Sequence, residues 1–103
     1  MQLREIAHAR TGDKGDTANV CVIAYHAQDY ALLERQLTAE RVAALFAGIV
    51  RGPVRRYPLP GIGALNFVLE EALGGGVTRS LALDAHGKSL GSAILGLELP
   101  PAR

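Results

Sequence analysis

Gly63-Ala64-Leu65-Asn66-Phe67-Val68-Leu69-Glu70-Glu71-Ala72-Leu73-Gly74-Gly75-Gly76 is the run whose reading decides the fold. Leu65, Val68, Leu69, Ala72 and Leu73 recur at helical spacing, with Glu70 and Glu71 on the opposite side. The spacing predicts a helix over Leu65–Leu73, stopped by Gly74-Gly75-Gly76 more sharply than the single glycine of a C-cap requires. With a helix here the chain reads strand, strand, helix pair, strand, helix, strand, strand. That order predicts an α+β fold, a two-layer sandwich with helices on one face of a mostly antiparallel sheet.

Upstream of the run, Val54-Arg55-Arg56-Tyr57 is a short strand closed by Pro58 and Pro60, which suits an edge. Before it, Tyr30, Leu33 and Leu37 mark one helix and Val42, Leu45, Phe46, Ile49 and Val50 a second. Thr38 reads as the N-cap of the second, Glu40 suits its first turn, and Pro53 forbids its continuation. Ala18 to Tyr25 is a continuous apolar run with Val20, Val22 and Ile23, which predicts a strand buried on both faces. Met1 to Ala9 reads as a first strand. Downstream, Val77 to Asp84 alternates as a strand, and Ala85-His86-Gly87-Lys88 reads as a turn. Ala93, Leu95, Leu97 and Leu99 then share the face of a last strand, closing a hairpin.

At 103 residues the chain is read as one domain over 1–103, long enough to bury roughly two-thirds of its unfolded surface. A net charge of +1, aromatics at 5% and no Trp disfavour nucleic acid, which needs a basic face and stacking platforms. No apolar run reaches the length of a membrane span or a signal core, so the expected location is the cytoplasm, with no membrane partner. The single Cys21 excludes an internal disulfide and reads as a small buried hydrophobe.

Between the two N-terminal strands lies Arg10-Thr11-Gly12-Asp13-Lys14-Gly15-Asp16-Thr17-Ala18-Asn19, longer and more charged than a turn requires. Arg10 and Lys14, with backbone N–H groups of Gly12 and Gly15, suit a carboxylate or phosphate. Asp13 and Asp16 are the acid/base candidates if burial shifts them, and otherwise hold the cations in place. The alternative is a self-satisfied, salt-bridged loop. Asp13, Asp16 and Asn19 recur every third residue, unlike the ligands of a calcium loop, and no metal or cofactor is expected. His8, His26 and His86 fall into no metal spacing, and His8 reads as a strand-surface or partly packed residue.

Two glycine motifs are set aside. Ala82-Leu83-Asp84-Ala85-His86-Gly87-Lys88-Ser89 nearly spells a phosphate loop, but the Leu90-Gly91-Ser92 that follows reads as strand where such a loop must open a helix. Gly61-Ile62-Gly63-Ala64-Leu65-Asn66 lacks the βαβ context of a dinucleotide site. Its glycines still suggest open N–H groups at a helix start, with Asn66 in the first turn facing a cleft. Gly75, in the triple glycine, is a further position for close backbone approach to a ligand or subunit, the alternative being a tight helix-to-strand reversal.

Ala9-Arg10-Thr11-Gly12-Asp13-Lys14-Gly15-Asp16 with Ala18-Asn19, Arg56-Tyr57-Pro58-Leu59-Pro60, Leu65-Asn66-Phe67, Leu73-Gly74-Gly75-Gly76 and Asp84 with Gly87-Lys88 resemble the AtuA-like ferredoxin-fold domain family. The resemblance spans almost the whole chain. It implies a ferredoxin-like two-layer α/β sandwich, here a fold type and no iron–sulfur cluster, since one Cys cannot supply four thiolates. It also implies a small free-standing relative of the C-terminal domain of acyclic terpene utilisation proteins, and a context of terpenoid or branched acyl-chain breakdown. The resulting expectation is a companion subunit or ligand-binding domain for an acidic metabolite, an acyl-CoA or carboxylate. Its site would comprise Arg10, Gly12, Lys14, Gly15, Asn19, Asn66 and Gly75. The alternative is a non-catalytic assembly module that docks a larger enzyme subunit, and homo-oligomers are expected in either case.

Overall fold

The computed structural model describes residues 1–15, 17–47, 50–71 and 88–100. Four strands, β1 (Ala7–Lys14), β2 (Thr17–Ala24), β3 (Val54–Leu59) and β4 (Ala64–Leu69), form one sheet in the order β1-β2-β4-β3, every neighbouring pair antiparallel. β2 and β3 therefore run parallel with β4 between them, and helices α1 (Tyr30–Gln36) and α2 (Ala39–Leu45) make the crossover. This is the split βαβ of ferredoxin-like folds. A third helix, α3 (Lys88–Leu95), packs on β1, while α1 lies on β2 and β4 and α2 on β3.

The three described helices share one face, because the strands bury alternate residues. Ala18, Val20 and Val22 of β2 and Leu65, Phe67 and Leu69 of β4 are buried in one cluster with Leu33, Val42, Phe46, Leu90 and Ile94 from the helix layer. The residues between them, Asn19, Cys21, Ile23, Asn66 and Val68, are half-buried. The described residues thus cover β2 on one face, where its apolar run suggests two. The expected α+β two-layer sandwich with helices on one face is the observed architecture.

Several elements differ from the sequence expectation. The helix expected over Leu65–Leu73 is strand β4 up to Leu69. The same residues that fit a period of 3.6 also contain the period-2 set Leu65, Phe67, Leu69, and pairing on both sides, to β2 and β3, selects the second. Gly61 to Gly63 is no helix start either: Pro60–Ile62 is one 3-10 turn joining β3 to β4, capped by Gly63 at φ 66. At the C-terminal end a helix replaces the strand expected after Lys88. Leu90 and Ile94, one turn apart, face the core, and Gly91 lets the helix approach β1 so closely that an added Cβ would stand 3.0 Å from Thr11 Cγ2. Of the last strand, only a bridge between Gln2 and Glu98 remains, flanked by Leu3 N–H to the Leu97 carbonyl and Leu99 N–H to that of Met1. The first strand begins at Ala7, preceded by a 3-10 turn over Leu3–Glu5. Thr38 caps α2 as expected, its hydroxyl accepting from Arg41 N–H at 3.1 Å, but the helix ends at Leu45 rather than near Val50. The expected strand Val77 to Asp84, the turn after it and the triple glycine lie outside the described residues. Among the described residues no helix is long and apolar enough to cross a membrane.

Candidate functional site

The charged stretch is a β-hairpin, not an open loop. Its ladder runs from Ala7↔Ala24 to Lys14↔Thr17, leaving Gly15-Asp16 as a two-residue connection in which Gly15 takes the left-handed φ of 62 that such turns require. Gly12 sits inside this ladder opposite Asn19, so it does not belong to a glycine-rich loop of free N–H groups. This corrects the donor role expected of it.

Register carries the residues of interest to the face opposite the described helices. One row across the sheet reads Arg10, Cys21, Asn66, Tyr57, and the next reads Gly12, Asn19, Val68, Arg55. Lys14, opposite Thr17, follows on the same side by the alternation of the strand. Arg10, Gly12, Lys14, Asn19 and Asn66, expected to act together, therefore occupy one face within neighbouring rows. Asn66 reaches it from the middle of β4, not from the helix start at which it was expected.

The Asn19 side chain spans this face. Its Nδ2 donates to Asn66 Oδ1 at 3.2 Å, and its Oδ1 lies above Gly12, where a Cβ would stand 2.8 Å away. Asn66 is thereby left with its own side-chain amine for other acceptors. Arg10 and Lys14 are exposed, and neither takes part in an ion pair among the described residues. Arg55 is engaged, its Nε donating to Glu70 Oε2 at 2.8 Å. Cys21, expected to be buried, is half-buried between Arg10 and Asn66; burial pushes its thiol up and the Arg10 guanidinium partly offsets this. A thiol so placed is a weaker nucleophile at neutral pH than an ordinary cysteine.

Asp13 stands in the ladder opposite Ala18, but its side chain, like all of Asp16 and Gly75, lies outside the described residues. No group of three His, Cys, Asp or Glu with metal-binding geometry occurs among the described residues. His8 is half-buried on β1 and stacks on Tyr25 with ring centroids 5.3 Å apart. The helix found after Lys88 removes the ground for setting aside the phosphate-loop-like run, although residues 82–87 of that run are outside the described part.

Sequence reasoning missed Arg55, Tyr57 and Cys21 as members of this face. The signal was present in β2, where Thr17, Asn19, Cys21 and Ile23 alternate with Ala18, Val20 and Val22, but the mostly apolar composition of Val20-Cys21-Val22-Ile23 masks it. Arg56, one residue from Arg55, does different work. Its Nη1 donates to the carbonyls of Glu34 and Leu37 at 2.8 and 3.1 Å, satisfying the C-terminal end of α1.

The sequence model of the AtuA ferredoxin-like domain matches residues 1–100. No curated protein and no solved structure matches the chain.

Proposed function

We propose, from the premise that this chain belongs to the AtuA ferredoxin-like domain family, that it is a cytoplasmic companion protein that binds an acidic metabolite on the sheet face opposite its described helices. The ligand class is a carboxylate or acyl-CoA from the breakdown of terpenoid or branched acyl chains. One observation carries the reading: Arg10, Lys14, Asn19 and Asn66 lie together on a sheet face that none of the described helices covers. Two exposed cations attract the anion, and the paired amides beside them give directional hydrogen bonds. In this reading Gly15 shapes the turn beside Lys14, and Asp13 or Asp16 orders the cations or moves a proton; Gly75, the remaining expected contact, is outside the described residues.

Calorimetric titration with short carboxylates and with coenzyme A thioesters tests it. Arg10→Ala and Lys14→Ala abolish binding and leave the melting temperature within a degree or two. An equal loss of stability in both variants points instead to a structural hairpin.

A second reading, an assembly module for a larger enzyme subunit or for a second copy, draws on the exposure of Tyr57, Leu59 and Ile62, the last at 64%. A stable complex in pull-down, with no small-molecule effect on thermal stability, selects it.

A further inference from the structure

On the face opposite the described helices, the described Lys and Arg residues, Arg10, Lys14 and Arg55, lie toward one end. One residue past the end of β2 and four beyond Cys21 stands Tyr25, and the strand rise places it about 13 Å from the Arg10–Cys21 row. The row between them reads His8, Ile23, Ala64 and Leu59, with the half-buried His8 ring stacked on Tyr25. Beyond that row a cleft of about 360 Å³ opens at the end of the sheet, between the start of α1 and the turn joining β3 to β4. Tyr25, Tyr30, Pro60 and Ile62 line it, and among the described residues no charged side chain does. Tyr25 and Ile62 are 57% and 64% exposed at its mouth. A volume of this size is at the lower end of small-ligand sites.

We infer that the cleft receives the apolar tail of the anion held at Arg10 and Lys14, so that the ligand class is an amphipathic anion whose tail runs over Ile23 and Leu59 and ends between Tyr25 and Ile62. This rests on the anion-binding reading above. Charge and apolar surface are segregated along the strand direction rather than mixed. A small hydrophilic anion leaves Tyr25, Leu59 and Ile62 in water, whereas an extended acyl or alkyl tail covers them. Ile62 sits on the turn and outside the core cluster, which makes it a specificity residue that can be changed without disturbing packing.

The test is a calorimetric series of linear alkyl carboxylates, from acetate to dodecanoate below their micellar concentrations, against the wild-type chain, Ile62→Asp and Ile62→Leu. In the wild type affinity rises with length, by up to about fourfold per fully buried methylene. Ile62→Asp removes the gain of the longer members and leaves that of the short ones in place; Ile62→Leu retains both. Short carboxylates that bind with no dependence on length, or an Ile62→Asp variant that weakens short and long members equally, overturn the tail site while sparing the anion site. Failure of every member to bind overturns the anion reading itself.

Discussion

The side chain of Asn19 occupies the space that a Cβ at Gly12 would need, 2.8 Å from that position, and from there reaches Asn66 on the far side of β2. Glycine at 12 is thus the condition for an amide that lies over β1 and bonds β2 to β4. Gly12→Ala turns the Asn19 amide away and breaks its bond to Asn66, at a cost of about 1 kcal/mol in urea unfolding. In an Asn19→Ala background the same change is neutral or stabilising by up to about 1 kcal/mol, because only the chain-entropy effect remains. A double-mutant cycle reads the coupling directly, and additive single effects contradict it.

Arg55 and Arg56 are neighbours with opposite expectations. Arg55 pairs with Glu70 in solvent, with side-chain exposures of 54% and 39%, so Arg55→Ala costs no more than about 1 kcal/mol and less at high salt. Arg56→Ala leaves two carbonyls at the end of α1 without their donor and costs about 1.5–3 kcal/mol, largely independent of salt. Unfolding of both variants at low and high ionic strength separates them.

Gly52 and Gly61 differ in the same way. A Cβ at Gly52 would lie 2.7 Å from the Glu70 carbonyl oxygen, the acceptor of Gly52 N–H, so that backbone must shift. Gly52→Ala is expected to cost about 1–3 kcal/mol. Gly61 has open space around its Cβ direction, and Gly61→Ala leaves stability unchanged or raises it by up to about 1 kcal/mol. Melting temperatures of the two variants check the contrast.

Stability falls in the alkaline range. Burial pushes both the Cys21 thiol and the Tyr30 hydroxyl above their ordinary values; Glu34 adds to the shift of Tyr30, and Arg56 opposes it. Below the ordinary values folded and unfolded chains hold these protons equally and the contribution is intact. As pH rises past them the unfolded chain releases protons first, and the contribution is lost through the raised folded values. Urea unfolding from neutral to alkaline pH shows the decline, and Cys21→Ala removes the earlier part of it. Arg10→Ala removes the charge that offsets burial, so the pH midpoint of Cys21 alkylation by iodoacetamide moves further up.

The local chemistry of the chain was enough to specify α1, the Thr38 cap of α2, the strand at Ala18–Tyr25 and the two-layer class, because each depends on neighbours in sequence. Family membership was legible as well, in the Arg10–Asp16 cluster. The residues from Ala64 to Leu69 satisfied a helical stripe and a strand alternation at once, and only hydrogen bonding to β2 on one side and β3 on the other settled between them. Leu90 to Ile94 carried glycine and serine that argue against a helix, yet packing of Leu90 and Ile94 on the core, with Gly91 against Thr11, outweighs that local preference. The grouping of Arg10, Lys14, Asn19 and Asn66 is likewise tertiary. Side chains alternate along a strand, so the face on which each one falls is set by register, and register is set by which residues the helix layer buries.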